Sequence, residues 1–108
     1  MRYCFALDLK NNKKLIKQYE DYHKSVWPEI LDSIKNSGID KMEIYRVGNR
    51  LFMIIETNST FSFDGKKQLD IRNNYVQKWE RLMSKYQQNL PFSKPGEKWV
   101  LMKKIFSF

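Results

Sequence analysis

The chain has 108 residues, enough for one domain with a core of its own and too few for two. Hydrophobic residues make up 42% and charged residues 30%, the balance of a folded chain rather than a disordered one. The net charge is +8, but ten Lys/Arg fall in residues 1–50 and ten in the remainder, with no block of five or six. Charge spread in this way reads as a solvated basic surface and argues against nucleic acid as a partner.

No segment is apolar for the roughly 18 residues that a membrane span needs, so no membrane partner is expected. The N-terminus reaches Asp8 after a short apolar stretch and lacks the pattern of a secretory signal. Cys4 is the one cysteine and has no intramolecular disulfide partner, which points to a reduced, cytoplasmic setting.

Taken in chain order, Arg2 to Leu9 reads as a strand with Tyr3, Phe5, Leu7 and Leu9 on one face. Asn11-Asn12 supplies a helix N-cap, and Leu15, Ile16, Tyr19, His23, Val26 and Ile30 then recur at three- and four-residue spacing. The pattern predicts one long amphipathic helix, kinked or restarted at Trp27-Pro28 and ended by Ser37-Gly38.

Lys41 to Val47 and Leu51 to Thr57 read as antiparallel strands joined by Gly48-Asn49-Arg50. Residues 58–74 are ambiguous, with Phe61 and Phe63 as anchors and a short helix over Lys66 to Arg72. Tyr75, Val76, Trp79, Leu82, Met83 and Tyr86 mark a helix to about Gln88. Leu90 to Gly96 breaks it, and Glu97 to Phe106 reads as the last strand. The order βαββαβ, in a single domain over residues 1–108, is the ferredoxin-like α+β plan with an antiparallel sheet. Helices on one face leave the other face to be covered, and a second copy would do so as a dimeric α+β barrel.

The chain has no Gly-rich phosphate loop, no cysteine pair, and no second histidine to share a metal with His23. Neither a metal nor a cofactor is expected, and Asn49 to Glu56 lacks the aromatic pattern of the RNA-binding version of this plan. Tyr19 and His23 stand four apart on the apolar side of their helix, away from Lys17, Glu20, Asp21 and Lys24. Spacing alone leaves His23 either a packed structural imidazole or a general acid-base group. Trp27, Trp79 and Trp99 are either core or platforms for the apolar side of a sugar ring. Asp8, Glu43, Arg46, Glu56 and Lys103 interrupt apolar strands and are candidates to point inward.

The run Tyr19-x3-His23-x3-Trp27-Pro28-Glu29, followed by Gly38, Glu43-Ile44-Tyr45, Arg50-Leu51-Phe52, Glu56 and Val76 to Trp79, resembles the L-rhamnose mutarotase family over nearly the whole chain. That resemblance implies a homodimeric isomerase that interconverts the α and β anomers of a 6-deoxy-L-hexose, with no cofactor. It implies His23 as the proton donor, and Tyr19 and Trp79 as sugar-binding residues beside the Trp27 wall. Met42 stands where the rhamnose enzymes have a second tyrosine, and Glu80 where they have another tryptophan. Both departures touch the sugar-binding set and make L-fucose an alternative to L-rhamnose. A dimeric-barrel oxygenase or haem-binding protein, and a non-catalytic sugar-binding module, are the competing readings of the same topology.

Overall fold

A computed structural model describes residues 1–108. Its elements are β1 (Arg2–Leu9), α1 (Lys13–Tyr22), α2 (Pro28–Asn36), β2 (Ile39–Val47), β3 (Arg50–Thr57), α3 (Phe63–Arg72), α4 (Asn74–Ser84), β4 (Gln87–Gln88) and β5 (Val100–Leu101). The sheet is antiparallel in the order β2-β3-β1-β4, with β5 also on β1. This is the ferredoxin-like α+β arrangement.

The register explains which face is buried. Leu7 lies opposite Leu51, Phe5 opposite Met53 and Tyr3 opposite Ile55. On β2, Ile44 faces Met53 and Arg46 faces Leu51. Paired residues share a face, so this set meets the helices. Leu9 and Leu51 there join Tyr19, Ile30, Val76, Trp79, Met83 and Tyr86 in the larger core cluster. The other face carries Cys4, Ala6, Phe52, Ile54, Tyr45 and Val47, and no element of the chain crosses it. Gly48-Asn49 makes the tight β2–β3 turn, with a positive φ of 58° at Gly48, which glycine adopts without steric cost.

The long helix restarts at Trp27-Pro28 as expected, and two later boundaries shift. The long helix is two helices, because Pro28 has no N–H to donate and restricts the residue before it. Trp27 accordingly sits at ψ 134°, and Pro28 occupies the first turn of α2, where its missing donor costs nothing. The helix expected to reach Gln88 ends at Ser84, since Gln87 and Gln88 leave it to pair with Leu9 and Asp8. The last strand, expected over Glu97 to Phe106, is reduced to Val100–Leu101, opposite Ala6 and Phe5. One further bond, from the Met102 N–H to the Cys4 carbonyl, extends it before the chain departs from β1.

The ambiguous stretch resolves through its caps. The Ser62 hydroxyl accepts from the Gly65 N–H, so α3 begins at Phe63, ahead of the expected Lys66. Asn73 ends α3 and caps α4 at once, its side-chain oxygen accepting from the N–H groups of Tyr75 and Val76.

Candidate active site

His23 is the first residue past α1. The last carbonyls of a helix lack intrahelical partners, and a histidine nearby can satisfy one. Here the His23 Nδ1 lies 2.7 Å from the Tyr19 carbonyl oxygen. A carbonyl only accepts, so Nδ1 is the protonated nitrogen of the neutral ring and Nε2 carries the lone pair. The backbone thus sets both the orientation and the tautomer of the imidazole.

The ring is also held from the side. Its centroid is 4.5 Å from that of Tyr19 and 5.6 Å from that of Trp79, the latter edge-on at 70°. Trp27 meets Trp79 in turn at 5.1 Å. Tyr19 is only 3% exposed, and burial pushes its hydroxyl above the ordinary tyrosine range. The Gln87 side chain beside it offsets part of that rise and the Glu80 carboxylate adds to it. Tyr19 is therefore a neutral hydroxyl near neutral pH.

His23 opens on a cleft of about 430 Å³ between α1 and β2. Ile44 and Leu51 supply its apolar surface, Tyr19 and His23 one wall, and Glu20, Lys24 and Arg46 its charged groups. The Arg46 Nε donates to the Glu20 carboxylate at 2.5 Å, tying strand to helix, and its Nη1 donates to the Gly48 carbonyl at 2.7 Å. The volume suits a small polar molecule.

The expected site residues do not all meet there. Tyr19 and His23 line the cleft, and Trp79, 9% exposed, backs the imidazole from within the core. Trp27 stands one ring further off. Glu80 is exposed at one end of the site, 3.6 Å from the Lys98 ammonium. Met42 shares the inward face of β2 but lies toward its start, in a separate hollow with Leu31, Ile34 and Lys35 of α2.

Of the charged strand residues singled out, only Arg46 reaches the cleft. Asp8 is bound by the Arg50 guanidinium at 2.8 and 3.2 Å, Glu43 and Glu56 pair with Lys41 and Arg2, and Lys103 is exposed. Glu20 and Lys24, assigned from sequence to the solvated side, line the cleft because β2 rises beside that flank of α1. The contact is tertiary, and helical spacing holds no trace of it. No three His, Cys, Asp or Glu side chains cluster closely enough to hold a metal ion.

A tautomer-fixed imidazole beside a buried neutral hydroxyl, over a small cleft with polar and apolar walls, gives this α+β protein an arrangement suited to proton transfer. Residues 2–108 match the family model described as L-rhamnose mutarotase, and the chain belongs to that family. It is 40% identical to an L-fucose mutarotase of Xanthomonas campestris, over 98% of this chain and 86% of that one. In three dimensions it resembles an L-rhamnose mutarotase from Formosa agariphila, with a TM-score of 0.73 at 21% identity, covering 100% of this chain and 98% of that one. A dimeric ferredoxin-like protein from an uncultured marine organism shares the fold, with a TM-score of 0.55 at 12% identity, over 99% and 90% of the two chains. The protein is thus a sugar mutarotase, an isomerase, and the family match runs against the oxygenase and haem-binding readings.

Proposed function

We propose that this chain interconverts the α and β anomers of a 6-deoxy-L-hexose, L-fucose before L-rhamnose, with His23 as the proton carrier. The observation that carries the reading is the 2.7 Å bond from Nδ1 to the Tyr19 carbonyl, which leaves Nε2 as the free nitrogen of a cleft-lining ring. In the protonated ring, Nε2 gives its proton to the sugar ring oxygen as the bond from that oxygen to C1 breaks, the electron pair going to oxygen. Water takes the proton of the anomeric hydroxyl as the C1 carbonyl forms. The open aldehyde turns about C1–C2 and closes by the reverse steps, returning the proton to Nε2. A positioned acid-base group contributes about 10²- to 10⁴-fold, which suits a reaction that water already allows.

The substrate preference is supported by the likeness to the Xanthomonas enzyme. Saturation-transfer NMR on L-fucose, L-rhamnose and their epimers tests it. Acceleration of L-fucose exchange above that of L-rhamnose is expected, and acceleration of no sugar in the panel overturns the reading.

A homodimer is proposed with it. Val47 is 78% exposed on the uncovered sheet face, and the C-terminal Ile105 and Phe106 are 90% and 79% exposed. A second copy would bury this apolar surface. Sedimentation at twice the 13.1 kDa chain mass is expected, and a monomer at micromolar concentration would contradict it. A reducing compartment such as the cytoplasm is proposed for the half-buried, unpaired Cys4.

A further inference from the structure

Glu20 and Arg46 form an ion pair that stability does not account for. An exposed pair contributes about 0–1 kcal/mol at most, and here the side chains are 46% and 36% exposed. Arg46 also breaks the pattern of its strand. It follows Met42 and Ile44 on the inward face of β2, where a two-residue period calls for a third apolar side chain. Of the five N–H groups of a guanidinium, one on Nε goes to Glu20 and one on Nη1 to Gly48, which leaves three with no protein partner. Those three belong to a planar, pre-oriented fork in a residue that lines the same cleft as His23.

We propose that Arg46, braced by Glu20, binds hydroxyl groups of the sugar on the side of the ring away from C1 and determines which deoxy sugar the site accepts. The inference rests on the mutarotase reading given above. A guanidinium only donates, so it selects hydroxyl oxygens as acceptors, and its parallel N–H groups match two neighbouring hydroxyls. The free oxygen of the Glu20 carboxylate accepts a hydroxyl proton from the same pair. The apolar surface of Ile44 takes the C6 methyl group that distinguishes a deoxy sugar from its parent. Epimers that differ at a ring hydroxyl differ in whether that oxygen reaches the fork. A site built to pair a hydroxyl discriminates far more strongly than one that only fits an apolar group.

The test is anomer exchange as a function of sugar concentration, for L-fucose and L-rhamnose, in wild type, Arg46→Met, Arg46→Lys and Glu20→Gln. Loss of a hydrogen bond to a charged group corresponds to a factor of about 10 to 100. For Arg46→Met, KM for the preferred sugar should rise about 10-fold or more, with kcat within about threefold of wild type and the preference between the sugars largely lost. Arg46→Lys keeps the charge without the fork and should recover only part of the affinity. Glu20→Gln still accepts from Nε and should fall between wild type and Arg46→Met. Unchanged KM and preference in Arg46→Met, with wild type active, overturns this proposal alone. Parallel loss of kcat and thermal stability, with the preference kept, assigns Arg46 a structural role and overturns it equally. Wild type inactive on every sugar overturns the mutarotase reading and this proposal together.

Discussion

His23→Ala separates the chemistry of the site from its packing. The substitution removes the bond to the Tyr19 carbonyl at 2.7 Å and the ring contacts with Tyr19 and Trp79 at 4.5 and 5.6 Å. A hydrogen bond of this kind is worth about 0.5–1.5 kcal/mol and each aromatic contact about as much, so the fold should lose about 1.5–4.5 kcal/mol. Against the 5–15 kcal/mol typical of a small domain, most of the protein stays folded, with the melting temperature lowered by about 4–8 °C for each kcal/mol. The rate should fall further, by about 10²- to 10⁴-fold toward the uncatalysed exchange. His23→Gln completes the comparison, because its amide still offers an N–H toward the Tyr19 carbonyl but cannot carry a proton. Melting curves and saturation-transfer NMR should then show stability recovered and exchange still lost. Full exchange in the alanine variant refutes the proton-carrying role, and so does recovery of exchange together with stability in the glutamine variant.

Tyr19→Phe tests the buried hydroxyl. Because burial raises its pKa in the folded state, the unfolded chain ionises first, near pH 10. The stabilisation is complete below that pH and is lost as pH rises through the folded value, at up to about 1.4 kcal/mol per pH unit. Urea titrations between pH 9 and 11 should show a shallower loss in the phenylalanine variant, and identical slopes would count against the assignment. Gly38→Ala should destabilise the fold by about 1–3 kcal/mol without changing exchange at low temperature. Gly38 holds φ at +97°, and a Cβ there would lie 2.7 Å from the Asn58 Oδ1 and 3.1 Å from the Phe61 Cα. Asn58 Oδ1 is already fixed by the N–H and hydroxyl of Thr60, at 3.0 and 2.7 Å. An unchanged melting temperature would refute that strain.

The elements that sequence reveals best are those whose patterns are local. The alternation of Tyr3, Phe5, Leu7 and Leu9 requires a strand with one buried face, and Leu7 and Leu9 are fully buried. The caps at Asn12 and Gly38, and the turn at Gly48-Asn49, follow from side-chain and φ preferences alone. Residues 97–106 are different. Their composition suits a strand, but pairing needs an unoccupied neighbour, and β4 already occupies the Asp8–Leu9 end of β1 that residues 97–98 would meet; nothing in the pairing accounts for the early end after Met102. Arg46 shows the same limit at the site. Its inward position is legible from the two-residue period, whereas its partner Glu20 lies 26 residues away and becomes a neighbour only when α1 crosses the edge of β2. Met42 shares that inward period and still misses the His23 cleft, because α2 rather than α1 covers its end of the strand.

The end of α1 explains how a lone histidine is oriented. Without Pro28, the apolar spacing from Leu15 to Ile34 would favour one continuous helix, with the Tyr19 carbonyl bonded to the residue 23 N–H in its interior. Pro28 holds Trp27 in an extended conformation, and α1 stops before it, at Tyr22. The His23 N–H then bonds to the Glu20 carbonyl at 3.0 Å, and the Tyr19 carbonyl is left to the imidazole. The helix break that reads in sequence as a structural interruption therefore supplies the acceptor that orients the ring and fixes its tautomer. The spacing Tyr19-x3-His23-x3-Trp27-Pro28 places that acceptor, the proposed proton carrier and the break within ten residues, so no second histidine and no carboxylate is needed to orient the first.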